Sequence, residues 1–228
     1  MGRLLPLLVV LMLSACQTAN PAHAPASTDR TTLTLVTLNL YHDKDDWPRR
    51  RIQIVEKLKA LQPDVIALQE VLQHENLPNQ AEWLARQLGY DWHFVSVDPP
   101  SATRRYGNAL LTRLPVLVRD ETRRHPLDDS RTAALLRLEL QGKPINIYAT
   151  HLHHTEQGGA IRKQQIDDLM AFIDKTAGGF PSVVTGDFNS AADSPELAPL
   201  RENFVDTYGS LHPDADADTS STLNLHYF

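Results

Sequence analysis

The chain has 228 residues, with 22 Lys and Arg against 28 Asp and Glu, and a single cysteine. A composition of 42% hydrophobic and 22% charged residues excludes wholesale disorder and a polytopic membrane protein. One cysteine excludes an intramolecular disulfide, and a net charge of −6 lacks the basic footprint of a general nucleic-acid binder.

The chain opens with MGRLLPLLVVLMLSAC. Arg3 is its only charge, residues 4–13 form an apolar run, and small residues follow. That is the layout of a secretory signal, with a run too short to span a bilayer as a permanent helix. Leu13, Ser14, Ala15 and Cys16 together resemble the bacterial lipoprotein box. The resemblance implies a signal peptide over residues 1–15 and lipidation of Cys16, with several acyl chains making a stable anchor. Gln17, where no Asp follows the cysteine, implies the outer membrane by the same resemblance. A lipid-anchored envelope protein facing the periplasm is therefore expected. Residues 16–31 are rich in Ala, Pro and Ser and read as a flexible tether. With no internal repeat and no second linker, one domain is expected over residues 32–228, as a monomer.

Within that domain, residues 32–39 (TLTLVTLN) alternate in the manner of a strand. Trp47 and Pro48 open a helical segment with apolar residues at Ile52, Val55, Leu58 and Leu61, broken at Pro63. Residues 64–70 (DVIALQE) read as a strand buried on both faces. Residues 81–88 are helical and end at Gly89; 92–97 and 108–112 are strands. Residues 132–140 and 145–150 form two more, around the turn at Gly142 and Lys143. A helix over 162–173 and a strand over 181–185 follow, with Ser194 predicted to cap a further helix. Helices alternate with strands, but several consecutive strands lack a helix between them. The predicted class is α/β (α+β), two packed sheets flanked by helices.

Four of the apolar runs end in polar chemistry: Asn39, Glu70, His151, and Asp187 with Asn189. Strand ends in a layered fold can converge on one edge, where ligands bind. Glu70 is a hard oxygen ligand for Mg²⁺, which proteins often hold with one or two carboxylates plus substrate phosphate. Asn39 can support that shell, Asp187 can polarise water, and Asn189 and His151 can donate to phosphate oxygens. The stretches TLNL (37–40), DVIALQEV (64–71), YGNALLTRLPV (106–116), YATHL (148–152) and GDFNS (186–190), in that order, resemble the endonuclease/exonuclease/phosphatase superfamily.

The resemblance implies a four-layer αββα sandwich of two packed mixed β-sheets flanked by helices, and a divalent-metal phosphoesterase using Mg²⁺, with Mn²⁺ or Ca²⁺ as alternatives. Carried over residue by residue, Asn39 and Glu70 belong to the metal site. His151, Asp187 and Asn189 are catalytic, and Asn108, His151 and Asn189 meet the substrate phosphate. Arg131, Arg162 and Gln165 fall at support positions. The substrate is a phosphoester: nucleic acid, a phospholipid head group or a sugar phosphate. His153 and His154 read as loop residues rather than metal ligands. Asp214, Asp216 and Asp218 form a solvated acidic loop without the Gly and Glu of a calcium loop. The family's Ile-Asp-Tyr-like strand and terminal Ser-Asp-His motif have no counterpart, and His226 lacks a preceding Ser-Asp. A domain truncated at its C-terminus and lacking its terminal strands is therefore expected. The alternative function is a catalytically impaired pseudoenzyme that binds phosphate ligands.

Overall fold

A computed structural model describes residues 32–215 and 221–222. The expected signal, Cys16, the tether, Asp216, Asp218 and His226 lie outside these residues.

Strand β1 (Leu35–Asn39) leads through a loop into helix α1 (Trp47–Leu61) and back into β2 (Val65–Gln73), parallel to β1. Pro48 occupies the first turn of α1, the Asp46 side chain accepts from Arg49 N, and left-handed Gln62 closes the helix onto Leu58 O. Helix α2 (Gln80–Leu88) is capped by the Asn79 side chain and ended by Gly89 at φ 71°. Strands β3 (Asp91–Ser96) and β4 (Arg105–Thr112) complete a sheet ordered β1-β2-β4-β3. Strands β5 (Val116–Arg123), β6 (Thr132–Leu140) and β7 (Lys143–His151) form a meander. Helix α3 (Gly159–Thr176) then returns the chain to β8 (Ser182–Asp187), parallel to β7, giving a second sheet ordered β5-β6-β7-β8. Short helices α4 (Ala198–Asn203) and α5 (Thr207–Leu211) follow.

The inner faces pack Val65, Ala67, Val95 and Leu110 of the first sheet against Ala134, Leu136, Ile147 and Ala149 of the second. The first sheet's outer face carries Ile66, Leu68 and Leu111 against Val55 and Leu58 of α1 and Leu84 of α2. The second carries Leu135 and Tyr148 against Ile166, Leu169 and Phe172 of α3. These are the expected layers: two mixed sheets between helices. β2 is buried along nearly its whole length, as its continuous apolar run requires. Strand β5 and helix α5 are additions to the predicted elements. The helix expected after Ser194 begins as a 3₁₀ turn, Pro195–Leu197, that runs directly into α4, and Ser194 makes no side-chain capping bond. Among the described residues no helix is long and apolar enough to cross a membrane.

Candidate active site

Two β-α-β units of the same kind build the site. In β1-α1-β2 the parallel pairing sets Asn39 opposite Gln69, so Asn39 and Glu70 emerge together at one end. In β7-α3-β8 it sets His151 opposite Asp187. Stacking of the sheets brings the two ends into contact: Asn39 Nδ2 donates to Asp187 Oδ2 at 3.0 Å. Asn39 Oδ1 accepts from Tyr41 N at 2.9 Å, which turns the chain out of the strand.

Glu70 sits in a β-bulge. The register of β2 against β4 shifts between Leu68 and Val71, and Glu70 takes φ 56°. Left-handed backbone in a non-glycine strand residue is costly, and a bulge re-aims a side chain. Here the carboxylate approaches His42 Nε2 at 2.7 Å. Oε2 is buried, with the His42 ring nitrogen against it. Burial pushes the Glu70 carboxyl up, but His42 and then the Asn39 amide outweigh it and hold the group below the usual range. The His42 ring stacks on Tyr106, with centroids 5.0 Å apart. The Tyr106 hydroxyl is pushed up to about 12 by burial and by the Glu70 charge.

His151 is only 2% exposed. Its Nε2 lies 3.9 Å from Asp187 Oδ2, and its Nδ1 is buried without a partner. Burial first, and then the charge of Arg131, push the imidazole down to about 4. It is neutral at neutral pH. Arg131 is itself buried, with Nε and Nη1 lacking any hydrogen-bond partner. Its Nε stands 3.7 Å from Asp129 and its Nη2 3.4 Å from His154 Nδ1. Asn189, at φ 48°, donates its backbone N–H to Asp187 Oδ1 at 3.1 Å and its amide to Leu152 O at 3.0 Å. Asn108 is buried nearby on β4, but its amide nitrogen donates to Thr132 O and Oγ1, and no contact joins it to the others.

Helix α3 supports the second unit. Arg162 donates to Glu196 Oε1 (2.9 Å) and to the carbonyls of His153 (3.3 Å), Thr155 (2.6 Å) and Glu156 (3.4 Å). Gln165 accepts from His153 N and donates to Asp129 Oδ2. His153 is tied to Asp129 at 2.9 Å and to Thr155 at 2.7 Å, in keeping with a loop role. Asp214 is exposed. The structure thus gathers Asn39, Glu70, His151, Asp187 and Asn189, and adds His42 and Tyr106, which the sequence reading did not single out. Tyr106 lies two residues before Asn108 on one strand, a spacing that already put them on one face. His42 carried no such signal. Among the described residues no three His, Cys, Asp or Glu form a self-sufficient metal cage.

Residues 36–226 match the profile of the Endonuclease/Exonuclease/phosphatase family. Nocturnin of Drosophila melanogaster is 27% identical over 196 residues, 78% of this chain but 29% of that protein. The uncharacterized protein YbhP of Escherichia coli (strain K12) is 27% identical over 183 residues, 72% of this chain and 70% of that protein. Among solved structures, the human Nocturnin catalytic domain with bound sulfate superposes with a TM-score of 0.63 at 23% identity, covering 83% of this chain and 75% of that one. At that identity the likeness is one of fold. The chain belongs to the Endonuclease/Exonuclease/phosphatase family, whose members hydrolyse phosphoester bonds.

Proposed function

We propose that this chain is a divalent-metal-dependent hydrolase of phosphoesters at the bacterial envelope, acting by attack of water on phosphate. The observation that carries the reading is the convergence of Asn39, His151 and Asp187 from three strand ends with Glu70 from the bulge of β2, its carboxylate ionised and buried against His42. That donor set fits a hard cation, since Mg²⁺ needs only one or two carboxylates with amide oxygen, water and substrate completing its shell. Glu70, supported by the Asn39 amide oxygen, would hold Mg²⁺ (or Mn²⁺ or Ca²⁺). When bound, the cation supplies charge to offset that building on the phosphate.

The remaining roles belong to the chain's own side chains. Asp187 is fixed by Asn39 Nδ2 and by the Asn189 N–H, and accepts the proton of the attacking water. Neutral His151 donates an N–H to a phosphate oxygen, and Asn189 has one amide hydrogen left for the same purpose. The two unpaired nitrogens of Arg131 offer charge-assisted donors to the anion. Nucleic acid, a phospholipid head group and a sugar phosphate all present this group. The lipoprotein box at Cys16 supports placing the domain on the periplasmic face of the outer membrane.

Hydrolysis of bis(4-nitrophenyl) phosphate tests the assignment. Turnover should need Mg²⁺, stop with chelator, and fall about 10²–10⁴-fold in Asp187→Ala. Turnover that survives chelation would sink it. A wild type that binds phosphate or a phosphomonoester yet turns over no substrate would establish the second reading, a phosphate-binding protein that has lost its chemistry.

A further inference from the structure

The loop between β1 and α1 carries four non-glycine residues in the left-handed region: Tyr41 (φ 54°), His42 (51°), Asp45 (49°) and Asp46 (56°). Such residues persist only where their surroundings over-determine them. Here the surroundings are one side chain. From α1, Arg50 donates Nη1 to Leu40 O (2.8 Å), Nη2 to His42 O (3.2 Å) and Lys44 O (2.6 Å), and Nε to Lys44 O and Asp45 O (both 3.0 Å). All three guanidinium nitrogens are spent on four main-chain carbonyls. Among the described residues no carboxylate pairs with Arg50; the carbonyl dipoles and the face of the Trp47 ring, 5.5 Å from the guanidinium carbon, offset its charge. A second hold comes from buried Gln80, whose Nε2 donates to His42 O at 2.8 Å while its Oε1 accepts from Leu72 N, two residues beyond Glu70. The backbone of His42 is thus clamped from both sides, and its ring is delivered to Glu70 at 2.7 Å and onto Tyr106.

We propose that Arg50 is a positioning residue whose guanidinium templates the 40–46 loop, holds His42 against Glu70, and so sets how Glu70 presents its carboxylate to a cation. The last step rests on the functional reading above; the first two do not. Arg162 does for the loop after His151 what Arg50 does for the loop after Asn39, so each β-α-β unit uses a helix arginine to collect the carbonyls beyond its first site residue. A lysine cannot substitute, because one ammonium cannot meet four carbonyls spread around a planar fork.

The test compares wild type with Arg50→Ala, Arg50→Lys and the exposed neighbour Arg49→Ala, first without metal. The reporters are the Leu40, Tyr41 and Lys44 amides, which are bonded to Gln69 O, Asn39 Oδ1 and Tyr41 O, together with the His42 ring resonances. Both Arg50 variants should exchange these amides at least tenfold faster and shift His42, with the β7 and β8 amides unchanged. Millimolar guanidinium should slow exchange in Arg50→Ala, whereas equal NaCl should not. Titration with Mg²⁺ alone, followed by thermal shift, should then show a midpoint at least tenfold weaker in both variants and unmoved in Arg49→Ala. Unchanged exchange and His42 shifts in folded Arg50→Ala, or full restoration by lysine, overturns the proposal. Faster exchange with an unmoved midpoint overturns the link to Glu70. A wild type without any Mg²⁺ response refutes the functional reading instead, and the metal-free reporters still decide on Arg50.

Discussion

The neutral, buried His151 makes a quantitative demand on stability. Its folded-state value of about 4 lies well below the ordinary 6.5, so in between the unfolded chain binds more protons than the folded one. Stability is then fully present above pH 6.5 and is lost as the pH falls toward 4. From these two values the His151 contribution falls by about 2 kcal/mol between pH 7 and pH 5 and by about 3 kcal/mol at pH 4. Carboxylates titrate over part of the same range, so the clean quantity is a difference between two proteins. Urea unfolding in chelator, at pH 7, 6 and 5, would compare wild type with His151→Gln, whose amide cannot be charged. Whatever their offset at pH 7, the stability of wild type relative to the variant should drop by about 2 kcal/mol by pH 5, as a change in midpoint at constant m. Parallel curves would place the folded His151 near its ordinary value, and would refute both its burial from water and its role as a neutral donor.

Other expectations concern the frame that holds the site. At Gly107 a Cβ would stand 1.9 Å from Val95 O, and at Gly186, with φ 142°, 1.9 Å from Thr150 O. Alanine at either should cost on the order of 3 kcal/mol or prevent folding, whereas Gly142→Ala, in open space at φ 75°, should cost about 1 kcal/mol; thermal denaturation ranks the three. Asp64 is fully buried and binds Thr34 N (2.8 Å) and Arg113 Nε and Nη2 (3.1 and 3.0 Å). Asp64→Ala should destabilise by about 3 kcal/mol in urea unfolding, and a loss below 1 kcal/mol would show that the partly exposed Arg113 finds water instead. Asn79→Ala removes the acceptor for Ala81 N and Glu82 N and should cost about 1 kcal/mol, with Asn79→Asp close to wild type.

How far the fold can be read from sequence depends on where each element buries its side chains. β2, β7 and β8 were legible because the core demands apolar runs there, and α1 because Trp47, Val55 and Leu58 recur on the face that meets the sheet. β5 was not, and its exposure explains why. It is the outer strand of its sheet, exposed along most of its length, with Arg119, Asp120, Glu121 and Arg123 on its surface. Its pairing comes from the free edge of β6 rather than from its own pattern, and charges on such an edge discourage further pairing. The start of α3 was missed for another reason. Gly158 and Gly159 argue against a helix locally, yet Gly158 stands where a Cβ would meet the His153 ring at 2.3 Å. The position answers to a tertiary contact, and propensity could not anticipate it.

The site divides along the same line. Asn39, Glu70, His151 and Asp187 stand out in sequence because each ends an apolar run, so their residue types and order carry the signal. Their electrostatic states do not follow from it. Glu70 is ionised because a bulge turns it toward His42, and the bulge is a mismatch between two strands that no local sequence window contains. His151 is neutral because it is buried beside Arg131, which lies just before β6 in a part of the chain that no window around His151 contains. Neither β-α-β unit is a site alone: one holds the groups suited to a cation, the other those suited to water and phosphate. The Asn39–Asp187 hydrogen bond joins them across the stacked sheets. It also fixes which end of the Asn39 amide each neighbour meets: the nitrogen faces Asp187 and the oxygen faces Tyr41 N. The chemistry is therefore set by how closely β1 lies on β8. Between the sheets, the neighbouring strands β2, β6 and β7 meet through the small residues Ala67, Ala134 and Ala149.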